Sequence, residues 1–422
     1  MKISLHFWRT GTFVLLVVAL AGLTACSQLR STSYIQAEEL MNEQRNASIT
    51  GLSPDDAFIS STADFSIQLL QATFEDRQKT LISPLSVLQA LAMTANGADR
   101  ETFAQMEDTL GKGIKLADLN SYLYAYTRSL ADSGAKSLKQ ANSIWFKDNE
   151  DLLTIEESFL QTNADYYNAA VYRAAFDGRT LEDINRWVHS NTDGMIDRIA
   201  SELGPSDVLV LLNAVALDAE WETPYPSESV RKDTFIAADG SLLTLDMMHS
   251  SESWYINDGQ ATGFMKPYAD QAFSFVALLP DEGTSIAEFV ASMTGESWLR
   301  AVNGAQPTAV RATLPKFTDE FALSLNETLQ KLGMTDAFSS QKADFTKLGR
   351  SPLGNLFIGQ VLHKTFIAVN EQGTRAGAAA AVLLRAGSAP GFATVKLDRP
   401  FVYAIIDQQT KLPVFLGTMT GQ

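Results

Sequence analysis

Between Ala376 and Ala381 every residue is alanine or glycine, and this run lies just upstream of the last strand-like segments of a 422-residue chain. Alanine favours helix, but Gly373 and Gly377 weaken a helix there, and the run has no apolar stripe to bury. As extended chain the stretch sorts into two faces. Thr374, Ala376, Ala378, Ala380, Val382 and Leu384 share one; Arg375, Gly377, Ala379, Ala381, Leu383 and Arg385 share the other. Both arginines fall on the same side, and the opposite side carries no charge. That parity suits a strand that passes one face into a core and keeps the other nearer solvent. A large or charged residue at Ala376, Ala378 or Ala380 would have to be buried during such a passage. What the run does has to come from the rest of the chain.

The first 25 residues read as a targeting signal. Lys2 and Arg9 supply positive charge, and the apolar run Phe13–Leu23 is short for a membrane span. The run ends in Leu23-Thr24-Ala25-Cys26, which resembles a bacterial lipobox and holds the sole cysteine of the chain. Cleavage before Cys26 and lipidation of its thiol are therefore expected, with anchoring by two or more acyl chains. Ser27 after the cysteine points to the outer membrane or cell surface, and an ordinary secretory signal is the alternative. Residues 26–54 are polar and read as a tether. The body is expected over 55–422, with no linker, repeat or composition shift dividing it.

Within the body, helical patterns come first and strand-like runs follow. "DAFISSTADFSIQLLQATF", "PLSVLQALAMTANG" and "TLEDINRWVHSNTDG" read as helices; "SLNETLQKLGMTDAF" reads as a later one. "DVLVLLNAVALDAEW", "FSFVALLPDEG", "AVRATLPKFT", "FIGQVLHKTFIAV", "RPFVYAIID" and "PVFLGTMTG" read as strands. The order predicts a single α+β domain. A formal charge of −16 argues against nucleic acid, which needs clustered Lys and Arg. No GxSxG, HExxH, P-loop or dinucleotide-binding glycine pattern is present. Among the four histidines, none has a second histidine or a cysteine at metal-ligand spacing. His363, inside an apolar strand, reads as structural rather than as a base. Neither an enzyme nor a cofactor or metal is expected.

Several motifs in fixed order carry a resemblance: "ISPLSVLQALAMTANGA", "NSIWF", "VLLNAVALDAEW", "ALLPDEG", "LPKF", "LQKLGMTDAFS", "ADFTKLG" and "VLHKTFIAVNEQGTRAGAAAA…DRPFVYAIIDQQTKLPVFLGTMTG". From about Asp55 to the C-terminus the chain is similar to the serpin family. Departures occur at Leu217 and Ala219, where the family has an aromatic and a glycine, and at Arg375, where it has an acid.

The resemblance implies about nine helices, three β-sheets and an exposed reactive-centre loop. It also implies suicide inhibition of serine proteases, with papain-type cysteine proteases as further targets because they too form acyl-enzymes. The cut loop enters the central sheet as a new strand, a strand-addition device of the kind serpins exemplify. About a dozen inserted residues at about 1 kcal/mol per hydrogen bond release on the order of 10 kcal/mol. That is enough to drag a covalently held protease and distort its triad, where a misplacement of about 1 Å costs about a hundredfold. The resemblance assigns the hinge to Glu371, Gly373, Thr374, Ala376, Gly377, Ala378, Ala379 and Ala380. It gives a hydrogen-bonded "shutter" to Ser83, Ser86, Asn213 and His363, and places Trp221 where the loop goes in. Family spacing from Glu371 points to Gly387-Ser388 as the bond attacked, within a window from Leu384 to Ala389. Arg385 and Ala386 are the alternatives. A Gly or Ala bait suits elastase-like or subtilisin-like proteases, and Arg385 suits trypsin-like ones. The protein is expected to act as a monomer. A serpin without inhibitory action and a tethered solute-binding lipoprotein are the competing readings.

Overall fold

The computed structural model describes residues 35–42, 44, 49–132, 138–148, 152–352, 354–374 and 392–421. Helix boundaries follow local chemistry. Asp55 caps Asp56–Thr73 by accepting from the Phe58 N–H at 2.9 Å, satisfying a donor the first turn leaves unpaired. Proline opens the wholly buried helix Pro84–Ala95, where a missing N–H costs nothing. Asp177 and Thr180 form a reciprocal capping box before Gly178–Asn191, and Gly194, at φ 71°, closes that segment. The helix expected over "SLNETLQKLGMTDAF" shrinks to Asn326–Lys331, because Gly333 turns away at φ 118°. A single 3-10 turn, Asp336–Phe338, follows it.

Nine α-helices accompany the strands among the described residues. The central sheet runs Glu38–Glu39, Ala170–Ala174, Leu138–Lys147, Leu209–Leu217, Ile358–Val369, Gly373–Thr374, Ala219–Glu220; Phe317–Ser324 also pairs with Ile358–Val369. A six-stranded sheet orders Trp254–Asn257, Ala261–Pro267, Phe273–Pro280, Phe401–Asp407, Pro413–Met419 and Thr80–Ile82. A four-stranded sheet orders Ala393–Lys396, Val310–Pro315, Leu242–Glu252 and Val230–Ile236. The three sheets of the expectation are joined by a two-stranded ribbon, Thr154–Ile155 with Gly349–Arg350.

The helix Pro84–Ala95 packs against Leu138–Lys147 and Leu209–Leu217 and also against Pro413–Met419. It is a middle layer, and an all-round apolar helix suits that place. Leu209–Leu217 is buried at every position, whereas Ile358–Val369 alternates: Val361, His363, Thr365, Ile367 and Val369 are buried and the residues between them less so.

The structure differs from the tether expectation for 26–54 at two points. Glu38–Glu39 pairs antiparallel with Arg173 and Tyr172 at the edge of the central sheet, and the Leu40 N–H donates to the Val171 carbonyl at 2.9 Å. The Leu52 N–H donates to Ser121 O at 3.1 Å. Polar composition hid this docking because an edge strand pairs through its main chain, whatever its side chains.

Candidate functional site

Leu209–Leu217 and Ile358–Val369 are direct neighbours, paired in parallel from Leu209↔Ile358 to Ala216↔Phe366. No strand lies between them, and parallel pairing is the slightly weaker geometry per residue. This seam is the axis of the site.

At its end the chain leaves Val369, reverses through Asn370–Gly373 and returns, so that Thr374 pairs with Val369 on one side and Ala219 on the other. Gly373 pairs with Glu220. Asn370 builds the reversal: its N–H donates to the Gly373 carbonyl at 2.9 Å, and its Oδ1 accepts from the N–H groups of Gln372 and Gly373. Trp221 holds the turn from the neighbouring strand. Its backbone N–H donates to Gln372 O at 2.9 Å and its ring Nε1–H to Asn370 O at 2.8 Å, while the Tyr225 N–H donates to Glu371 O at 2.8 Å. The Trp221 ring stacks on Tyr268 at 4.5 Å, and the Tyr268 hydroxyl shares a hydrogen with Thr374 Oγ1 at 2.7 Å. Thr374 is fully buried. A Cβ at residue 373 would lie 2.1 Å from the Ala219 carbonyl oxygen, so the close approach needs glycine.

Below this turn Lys266 is buried, donating to Glu252 Oε1 and Thr223 O at 2.9 Å each, with its ammonium 4.4 Å from the centre of the Tyr225 ring. Glu371 sits nearer solvent and pairs with Lys316 at 3.0 Å. Burial pushes the Glu371 carboxyl up, but its own backbone N–H and the Lys316 ammonium outweigh this and hold it below the usual glutamate range.

Midway along the seam, His363 and Asn213 face each other across the two strands. The Ser83 N–H donates to His363 Nε2 at 3.1 Å, which leaves the ring proton on Nδ1, donated to Asn213 Oδ1. Asn213 Nδ2 donates in turn to Ser86 Oγ and Asn142 Oδ1, and Ser86 Oγ donates to Asn142 Oδ1 at 3.2 Å. Asn142 Nδ2 passes the chain on to Gln89, whose amide meets Thr127 Oγ1. Burial pulls the His363 pKa down to about 3, against the opposing hydrogen bond it donates to Asn213. The ring is therefore neutral and serves as a structural link, with no proton to trade near pH 7.

The structure thus brings together Ser83, Ser86, Asn213 and His363, although Ser83 contributes its backbone and its buried hydroxyl has no hydrogen-bond partner among the described residues. It places Glu371, Gly373, Thr374 and Trp221 at one turn. Sequence reasoning missed Asn142, Gln89 and Asn370. Asn142 stood in view within "NSIWF", but a side chain that faces Asn213 only through strand register leaves no mark in spacing. The remaining hinge residues Ala376, Gly377, Ala378, Ala379 and Ala380 lie outside the described residues, as do Arg385, Ala386, Gly387, Ser388 and Cys26.

A family model described as Serpin (serine protease inhibitor) matches residues 60–421. The glia-derived nexin of Mus musculus is 30% identical over 369 residues, covering 83% of this chain and 90% of that protein. Among solved structures, the thermophilic serpin tengpin in its native state superposes with a TM-score of 0.89 at 50% identity, covering 92% of this chain and all of that one. The latent state of tengpin superposes less well, with a TM-score of 0.76 at 48% identity and coverage of 89% and 99%. Matched sequence and matched architecture together define a class built around one large central sheet. The chain belongs to the serpin family, whose members are mostly protease inhibitors rather than enzymes.

Proposed function

We propose that this chain is a suicide inhibitor of serine, and by the same acyl chemistry cysteine, endopeptidases, held at a bacterial cell envelope by lipid on Cys26. The observation that carries the reading is the parked hinge: Gly373 and Thr374 already occupy the first positions of a strand between Val369 and Ala219. Continued antiparallel register would set Ala376 opposite Ile367, Ala378 opposite Thr365, Ala380 opposite His363 and Val382 opposite Val361. Every one of those partners is buried. The uncharged face of the loop would thus enter the core, and both Arg375 and Arg385 would avoid the opposition of a buried His363 or Thr365. On the other strand Ala380 would meet Asn213, so it would arrive between the two residues whose direct bond ties the seam. A methyl group is small enough to pass there. One weaker parallel ladder would be exchanged for two antiparallel ones, which supplies the downhill direction.

The same register bears on the bait. Ile358–Val369 has 12 residues, which Thr374–Arg385 would fill. A protease acylated at Gly387 would be drawn off the end of a completed strand, whereas one held at Arg385 would have to share the last pair. Gly387-Ser388 is the bond we assign, with elastase-like or subtilisin-like proteases as targets of a single-chain inhibitor.

A protease panel tests this. Elastase-like and subtilisin-like enzymes should give complexes stable on denaturing gels at a stoichiometry near one, and the released C-terminal peptide should begin at Ser388. Trypsin should cleave after Arg385 and consume more inhibitor. A trypsin stoichiometry near one, with a peptide beginning at Ala386, would move the bait to Arg385. For the anchor, Cys26→Ser should leave the membrane fraction; continued sedimentation with membranes would remove lipid from the account.

A further inference from the structure

At the end of the seam opposite the hinge, a second side-chain bridge crosses the line along which the sheet would open. Asp207 precedes Leu209–Leu217, and Gln360 belongs to Ile358–Val369. Asp207 Oδ2 accepts from Gln360 Nε2 and from the Gly204 N–H, both at 2.6 Å. Asp207 is only 6% exposed. The backbone around this contact is arranged for it. Strand pairing slips between Ile358 and Gln360, leaving Gly359 out of the ladder. A Cβ on Gly359 would lie 2.8 Å from Asp207 Oδ1 and 3.0 Å from the Asp207 Cα, so glycine makes room for the carboxylate. Asn326 pins the slipped segment from the far side, donating to Gly359 O at 2.7 Å and accepting from the Val361 N–H at 2.9 Å.

We infer that Asp207 and Gln360 form a clasp that holds the distal end of the seam shut and resists the last stage of loop uptake. The inference rests on the uptake reading above. Neighbouring strands lie about 4.8 Å apart, and a strand placed between them adds another such step. A bond that spans the seam at 2.6 Å cannot survive that separation. The clasp therefore stabilises the closed sheet and contributes nothing to the filled one. Continued register would place Leu383 opposite Gln360, so the clasp would be met after the hinge and the His363 region had been passed. A hydrogen bond to a carboxylate is about twice as strong as a neutral one, and breaking it leaves Asp207 buried with the Gly204 N–H as the remaining partner of its carboxylate among the described residues. Gln360 and Asp207 are positioning residues; neither would touch the protease.

Two variants of the full chain test the clasp. Gln360→Met deletes the donor at similar volume, and Gln360→Glu sets one carboxylate against another. After loop cleavage, uptake can be followed by tryptophan fluorescence; it should quicken roughly tenfold in Gln360→Met, the fold expected for a lost charge-assisted bond, and more in Gln360→Glu. The thermal midpoint of the intact chain should fall, while that of the cleaved, strand-filled form stays within about 1 °C of the wild type, because the bond is absent there. Adding Asp207→Asn to Gln360→Met should change uptake little further, the mark of a coupled pair. Equal loss of stability in intact and cleaved forms would make the pair an ordinary structural contact. An unchanged uptake rate would remove the gate and leave the inhibitor reading standing. If the wild-type chain gains no heat stability on cleavage, the uptake reading fails and the clasp goes with it.

Discussion

The hinge turn from Glu371 to Thr374 is held by main-chain bonds from Trp221 and Tyr225 and by strand pairing with Val369, Ala219 and Glu220, with a glycine packed against a carbonyl oxygen. Farther along the same seam, besides the ladder itself, the strands are tied by a relay of neutral side chains through His363, Asn213, Ser86 and Asn142. Main-chain bonds made at the hinge are of the kind a growing strand continues, so nothing there has to be undone for uptake to start. The relay is different, because its central bond joins the two strands that would have to part on that reading. On the proposed uptake, geometry would start the process at the hinge, and the exchange of side-chain bonds would limit it in the middle. Changes at the first place should alter whether a strand can enter; changes at the second should alter how firmly the sheet stays closed.

The largest expected effect comes from charging the entering face. Thr374→Arg would displace the Tyr268 contact and put a guanidinium where Thr374 is fully buried. Ala378→Asp would carry a carboxylate opposite Thr365 during uptake. An uncompensated buried charge costs about 3–5 kcal/mol. Both variants should be cleaved as substrates, with little covalent complex on a denaturing gel. Full complex from Ala378→Asp would break the hinge side of the comparison.

The relay predicts a pH effect of nearly the same size, and it concerns the closed sheet. Unfolded His363 takes a proton below about pH 6.5, whereas the buried ring resists until about pH 3. The unfolded state thus binds more protons across that window, and the native sheet loses stability as pH falls through it, by on the order of 5 kcal/mol in all. Denaturant midpoints of the intact chain from pH 7 to pH 4 should decline by about one proton more steeply in the wild type than in His363→Gln. Parallel curves would mean that the ring titrates freely and that the seam is not closed around it.

Gly373→Ala sharpens the contrast at the hinge. The added methyl meets a backbone oxygen, so the turn or the Ala219 strand must shift, at a cost of about 1–3 kcal/mol. The stoichiometry of inhibition should rise while the His363 pH profile stays as in the wild type. A changed pH profile would show that hinge and relay are one unit.

What sequence could and could not convey follows from this same contrast. Period-two alternation is a local property, so the two faces expected of Thr374 to Arg385 can be written from sequence, although residues 375–385 lie outside the described residues. Helices with a capping residue and an apolar stripe were legible for the same reason, as at Asp55 and Asp177. Contacts set by register were not. Asn142 reaches Asn213, and Gln360 reaches Asp207, across strands that only the folded sheet makes adjacent. Glu38–Glu39 adds itself to the sheet through its main chain, which polar side chains do not advertise. Asn370 carries its turn through backbone and amide bonds that any loop asparagine offers in sequence.

The smallest effect should come from the most conspicuous ion pair at the hinge. Lys316 and Glu371 approach to 3.0 Å, but the lysine side chain is 43% exposed and the glutamate 27%, so water screens them. Pairs of this kind contribute about 0.2–1 kcal/mol. Glu371 is held below its ordinary pKa, so its share is present above the normal glutamate range and fades as pH drops through the lowered value. Lys316→Ala should therefore lower the thermal midpoint of the intact chain by no more than about 2 °C. The loss should shrink further in 0.5 M salt, a concentration at which the screening length falls to roughly half its value at 0.1 M. If Lys316→Ala instead cost as much as Gly373→Ala, the ion pair and not the main-chain bonds would be holding the parked strand, and the division drawn between hinge and relay would have to be redrawn around charge.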